Sequence, residues 1–341
     1  MPKNKISADV YLQRTSPSSL KTDVLKCLVS NGIKNFDPNK PTLIKINGNC
    51  NKYYPGSNTS PWFLDALLWS LKQLLFSNIT VIEGNLFEFT VEDMLIKTKL
   101  GEVIKHHHVH HQNYEKMPRN KLTVPKILEG KQIINAPVMH THGFAKISCA
   151  TKNMWGFLPV TRRHLHYMLN QKLLEMYKNI PMFTVVDGTV GMFGDSTRTG
   201  IPKTIGLIAS GWDTLTIDYI VAQILGFKTT EIPLLIEAKS QKIIKYFKVF
   251  GDYSKRSIPT YDFSYQDTTE RKVTRWLEGL DSPNPVNKIT GWLLHSLIID
   301  YLYNHLRMIY NDYQFSKKRS KIITGDWQIY EKCVPYINFP K

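Results

Sequence analysis

Apolar residues along the chain come in short blocks, divided by turn residues, at two spacings. Residues 24–29 are mostly apolar and predict part of an amphipathic helix, followed by the turn signals Asn31-Gly32 and Asp37-Pro38. Residues 41–48, Pro-Thr-Leu-Ile-Lys-Ile-Asn-Gly, predict a short buried strand that ends in a glycine turn. Apolar positions over 62–75 follow helical spacing, and 80–84 is again a short strand closed by glycine. Strand, loop, helix, strand is the grammar of a parallel sheet with crossover helices. Ligands in such sheets lie beyond the carboxyl ends of the strands, where Lys45, Asn47 and Glu83 are expected.

The pattern continues downstream. Residues 131–138 predict a third strand ending at Pro137, and 162–177 a helix with leucine and methionine on one side. Residues 182–187 predict a strand whose last residue is the carboxylate Asp187, followed by Gly188. Residues 205–210 repeat the pattern, after which Asp213 opens a helix running to Leu225 and stopped by Gly226. These strand ends are expected at one common edge. Past residue 250 the texture changes. Residues 253–267 are polar and aromatic, Asp281-Ser-Pro283-Asn-Pro285 is a linker signal, and 292–310 predicts one helix with a broad apolar face. The expected architecture is α/β: a core over residues 1–250, in one or two lobes, of mainly parallel sheet with crossover helices. A largely helical, wrapping extension over 251–341 completes it.

Composition narrows the class. A chain of 341 residues with 42% hydrophobic and 11% aromatic content is globular rather than disordered. No apolar run reaches the roughly 18 residues that span a bilayer, and Met1-Pro2-Lys3-Asn4-Lys5 lacks a secretory core, so a cytoplasmic protein without membrane contact is expected. Cys27, Cys50, Cys149 and Cys333 are far apart, with no CxxC clip, so neither an iron–sulfur cluster nor a structural zinc follows from them. A net charge of +16 favours phosphates, carboxylates or nucleic acid as partners. The charge is spread along the chain and accompanies no nucleic-acid module, which places nucleic acid behind a small anionic molecule.

Candidate chemistry concentrates between residues 135 and 218. His140-Thr141-His142-Gly143 is followed by Lys146, Ser148, Lys152-Asn153, Gly156, Arg163 and His166. Imidazoles relay protons near neutral pH or bind transition metals, and lysines hold anions or form covalent adducts when their pKa falls. The alternative is a loop whose polar groups satisfy one another. Gly188, Gly191, Gly194 and Gly200 make the segment after Asp187 glycine-rich, able to bring amides near an anion, although it does not match GxxxxGK[ST]. Asp213 also suits a helix N-cap and Asp218 a helix-surface or buried-pair carboxylate. The run His106-His107-His108-Val109-His110-His111 sits in a polar stretch without regular period and is expected as a surface loop rather than a dedicated metal site.

These residues carry a resemblance. Pro137, Thr141-His142, Lys152-Asn153, Gly156, Arg163, His166, Val186-Asp187, Gly200 with Pro202, and Asp213 with Asp218 resemble the pattern of the family called domain of unknown function 362. Lys45-Ile-Asn47 resembles its early Lys-x-Asn strand, and the likeness covers about residues 40–240. Position 140 is histidine where the family usually carries lysine. The cysteine-rich ferredoxin-like segment of many relatives is missing, so the resemblance implies no electron transfer through a cluster of its own. A weaker similarity links the chain to the N-terminal domain of nickel-dependent lactate racemases, although Ala150-Thr151 stand where those have a glycine pair. That similarity implies His142 and His166 as proton-transfer or metal groups and Lys152 as a cofactor anchor or anion holder.

The expectation is an enzyme acting on a small anionic metabolite, bearing carboxylate or phosphate. His142, Lys152, His166 and Asp187 would form its catalytic set, and Lys45, Asn47, Asn153, Arg163 and Asp213 its ligand-binding set. His142 and His166 are the candidates for a divalent transition metal. The alternatives are a non-catalytic metal- or ligand-binding accessory protein and, behind it, a basic nucleic-acid-binding protein.

Overall fold

The computed structural model describes residues 7–86, 88–143, 145–194, 200–263 and 325–340, with single positions between 306 and 317. Ten strands form one sheet: β1 (Val10–Arg14), β2 (Thr42–Ile46), β3 (Ile79–Glu83), β4 (His110–Asn113), β5 (Gln132–Ala136), β6 (Val138–His142), β7 (Lys146–Ser148), β8 (Phe183–Phe193), β9 (Ile201–Gly211) and β10 (Val249–Gly251). The order is β10-β1-β9-β8-β5-β2-β3-β4, and β6 pairs with β7 and β8. From β8 through β5, β2 and β3 to β4 every neighbour is parallel, the arrangement expected from the strand–helix alternation.

Helices cover both faces: α1 (Leu20–Ser30), α2 (Pro61–Gln73), α3 (Val91–Lys97), α4 (Leu100–His106), α5 (Leu169–Asn179), α6 (Thr214–Ile224) and α7 (Pro233–Ser240). Side chains alternate across a strand, so Ile44, Val81 and Ile134 pack towards α1 to α4, and Leu43, Ile82 and Ile133 towards α5 to α7. In α2, Ser60 caps the first turn by accepting from the amide of Phe63, and Pro61 takes the position that needs no donor. That helix is apolar almost all round because the segment 325–340 covers its far side. Trp62 stacks on Trp327 and Tyr330, both buried, and the Tyr330 hydroxyl donates to Thr15 O. The linker at 281–285 and the helix expected over 292–310 lie outside the described residues, apart from helical positions at 306, 309 and 310.

Three local expectations are corrected. Asp187 does not end its strand, because β8 continues through Gly188 to Phe193 and forms a long antiparallel hairpin with β9. A Cβ at position 188 would come within 2.5 Å of Leu207 O, so this glycine serves close strand packing rather than an anion loop. Because β9 runs antiparallel, Ser210 and Gly211 lie beside Val185 and Thr184, and Asp213 follows at the end of the hairpin away from Gly188–Phe193. The common edge expected for both strand ends therefore does not form. The helix expected over 162–177 is a 3-10 segment, Val160–Met168, followed by α5.

Candidate functional site

Three parallel strand tips converge as expected. Lys45 comes from β2, Glu83 from β3 and Asn135 from β5, joined by Asn47 just past β2 and Asn153 on the 3-10 segment Lys152–Phe157. All five are buried. Lys45 Nζ lies 2.8 Å from both carboxylate oxygens of Glu83 and donates to Ile46 O at 2.7 Å and Asn153 Oδ1 at 3.4 Å. Asn153 Oδ1 also accepts from Asn47 Nδ2 at 3.1 Å, and its own Nδ2 donates to Ile46 O and, at 2.8 Å, to Asn135 Oδ1. Glu83 accepts further from the amides of Gly48 and Gly84 and sits 3.0 Å from the Tyr114 hydroxyl. A Cβ on Gly156 would press to 3.1 Å from Lys45 Nζ, which accounts for a glycine there.

This network gathers part of the expected ligand-binding set. Lys45, Asn47 and Asn153 come together, and their side chains hydrogen-bond one another, Glu83, Asn49, Asn135 and the Ile46 carbonyl. Glu83 neutralises the Lys45 ammonium, whose pKa is lowered by burial against the opposing pull of that carboxylate. They brace the carboxyl edge.

The remaining cations are differently placed. Lys152 is half-buried and, among the described residues, makes neither an ion pair nor a hydrogen bond. Burial, together with the field of Arg162, lowers its pKa to about 7, and Asp218 opposes only part of that. The Arg162 guanidinium contacts the carbonyls of Asn85, Leu158 and Pro159, all backbone. Lys152 and Asp218 line one small cleft with Ala145, Cys149, Asn170 and Leu173. Asp218 accepts from the amides of Ala150 and Thr151 at 2.8 and 3.0 Å, and burial nevertheless raises it to about 6. A lysine pushed down and an aspartate pushed up face one cleft, and both titrate near neutrality.

His140 replaces a further ammonium with a neutral ring. Burial and then the charge of Lys152 lower it to about 3. Its Nδ1 lies 3.2 Å from Thr141 O and its Nε2 3.2 Å from Asn49 Nδ2. A proton on Nδ1 donates to the carbonyl and leaves Nε2 to accept from the amide.

The other expected residues each have partners of their own. Asp187 is fully buried, with Oδ2 accepting from the Ser60 amide and hydroxyl and Oδ1 from those of Thr189. It hydrogen-bonds neither His142 nor His166; its work is to hold the start of α2 against β8. Asp213 caps α6 by accepting from Thr216 N, and its other oxygen accepts from Tyr177 and Lys245 at 2.7 Å each. His142 ends β6, where its Nδ1 accepts from the Ala145 amide at 3.4 Å. His166 stacks on Trp155 at 5.5 Å between ring centroids. The Arg163 side chain lies outside the described residues. Sequence reasoning missed Arg162 and gave Asp218 no site role. The signal for both was present, an arginine pair on a short helical segment and a carboxylate one turn into α6, but only contact geometry separates them from their neighbours.

The histidine run also departs from the expected loop. His106 closes α4, His107 caps it and is buried, and His110 and His111 begin the edge strand β4. Among the described residues, the group of three possible metal ligands is Asp65, His106 and His107 rather than one containing His142 and His166. No helix among the described residues is long and apolar enough to cross a membrane.

The model of the family described as domain of unknown function (DUF362) matches residues 42–223, more than half of the chain. The chain belongs to that family. The matched region runs from the Lys45 strand to α6 and so contains the braced edge and both Lys152 and Asp218, while Ile232 and Leu234 of the cleft wall lie beyond it. A thylakoid-associated protein of Synechocystis sp. is 24% identical over 117 residues, covering 32% of this chain and 36% of that protein, so the chain spans about a third of the length of this relative. A crystal structure of a Thermotoga maritima protein aligns at 11% identity with a TM-score of 0.34, covering 52% of this chain and 51% of that one.

Proposed function

We propose that this DUF362 protein is an enzyme acting on a small anionic metabolite, whose carboxylate or phosphate group meets Lys152 at the edge of the Lys152–Asp218 cleft, which itself has room for about one water molecule. The observation that carries this reading is the Lys152 ammonium. It is half-buried, without an ion pair among the described residues, in the field of an arginine that touches only carbonyls. Two cations without carboxylate contacts among the described residues leave positive charge to be met by an incoming anion. With a pKa of about 7, Lys152 exchanges a proton at working pH or attacks a carbonyl as the free amine, and Asp218 at about 6 complements it as the acid. His142 belongs to the reading as a group anchoring Ala145, which lines the same cleft. The setting is cytoplasmic in this reading, where Cys27, Cys50, Cys149 and Cys333 remain thiols.

Incubation of the purified chain with a metabolite extract, followed by mass spectrometry, tests this. Compounds consumed by the wild type are expected to be anionic and to persist with Lys152→Met. Turnover unchanged in Lys152→Met and Asp218→Asn, or confined to neutral compounds, rules the reading out.

A further inference from the structure

The junction of α2, α4 and the C-terminal segment holds chemistry that the cleft does not use. Asp65 sits on the buried side of α2 with 1% exposure. His107 Nε2 lies 2.8 Å from its Oδ1, and the Tyr336 hydroxyl donates to the same oxygen at 2.6 Å. The ring of His106, the residue before, stacks on Tyr336 with centroids 3.7 Å apart and planes 10° from parallel. Lys21 Nζ reaches the second carboxylate oxygen at 3.0 Å from a side chain that is 42% exposed.

We propose that Asp65, His106 and His107 form a binding site for a divalent transition metal of the zinc class, closed over by Tyr336. One ligand atom from each of the three residues lies within 4.8 Å of the others. Metal bonds of about 2.0–2.2 Å place tetrahedral donors about 3.3 Å apart, so the set closes on an ion with side-chain movements of about 1.5 Å or less. Two imidazoles and one carboxylate are the donor types that zinc-class ions prefer, while magnesium and calcium favour oxygen alone. On binding, His107 presents Nε2 to the metal and carries its proton on Nδ1, and the carboxylate exchanges a hydrogen bond for a metal bond. Lys21, whose side chain is 42% exposed, swings away from the arriving cation into water. The rigidity that a short histidine tract lacks comes from the scaffold. His107 is held at the end of α4, Asp65 is fixed in the core, and His106 is sandwiched by an aromatic ring. Because Tyr336 belongs to the segment that covers α2, the ion would also fasten residues 325–340 to the body.

Equilibrium dialysis of the full chain, purified without an affinity tag, against Zn2+ measures stoichiometry and affinity, and Co2+ titration reads the visible absorption of a low-symmetry site. One ion per chain is expected. His106 is exposed, so His106→Ala keeps the core and is expected to weaken binding at least about tenfold, the lower end of what even an outer-shell partner contributes. Asp65→Asn, checked for folding by circular dichroism, is expected to weaken it as strongly, and the double variant His110→Ala/His111→Ala to leave it unchanged. The proposal is overturned if the wild type takes up no stoichiometric metal or if His106→Ala changes affinity less than tenfold. It is equally overturned if binding disappears only with the edge-strand pair or with His142→Ala.

Discussion

Replacing Lys152 by methionine should make this protein more stable at neutral pH, the reverse of the usual effect of altering a half-buried residue. The native fold lowers the lysine pKa from 10.5 to about 7, by burial first and by Arg162 second. At about 1.4 kcal/mol per pH unit, keeping the ammonium charged below pH 7 costs up to about 5 kcal/mol relative to the unfolded chain. Solvent reaching this half-buried side chain screens part of this, which leaves about 2–4 kcal/mol. Methionine keeps most of the stem volume and removes the charge. The sign with pH follows from the lowered value. Between pH 7 and 10.5 the unfolded chain binds the extra proton, so wild-type stability rises with pH and is lost again as pH falls through about 7. The Lys152→Met variant should therefore lead by the full margin near pH 6 and converge with the wild type towards pH 10. Urea unfolding at a series of pH values measures this directly, and inorganic phosphate should stabilise the wild type more than the variant. A variant less stable than the wild type at pH 6, or a margin independent of pH, would refute the account of Lys152 as a buried cation waiting for an anion.

Lys45→Met strands the Glu83 carboxylate in the core and should cost about 3–5 kcal/mol in denaturant titration, in contrast to the gain at Lys152. Trp327→Ala removes the ring stacked on Trp62 and should cost about 3–5 kcal/mol, read as a lower urea midpoint together with faster proteolysis of the C-terminal segment. The pH profile of turnover, once a substrate is in hand, should break near pH 6 and near pH 7, and Asp218→Asn should remove the first break while leaving the other in place.

Much of the carboxyl edge was legible in the chain because strand periodicity is local. Residues 41–48 and 80–84 announced β2 and β3, and the parallel grammar placed Lys45, Asn47 and Glu83 at one edge, where they meet. The same reasoning misplaced Asp187, since a glycine after a carboxylate reads as a turn whether or not the strand continues, and it put the Asp213 end of β9 at the same edge because periodicity does not tell an antiparallel strand from a parallel one. β8 continues because β9 pairs with it on both sides of Gly188, where the missing Cβ leaves room for Leu207 O and Met139, from residues 19 and 49 positions away.

What the sequence determined by itself is the repertoire: an α/β sheet with parallel strands, a cationic surplus, and imidazole, ammonium and carboxylate groups crowded into the middle third. Which of those charges are spent and which are available was decided only by tertiary structure. Two lysines, each followed closely by an asparagine, look alike in a linear chain. Folding sets Lys45 against Glu83 and leaves Lys152 beside Arg162, and electrostatic energy depends on distance through space, which sequence separation does not encode.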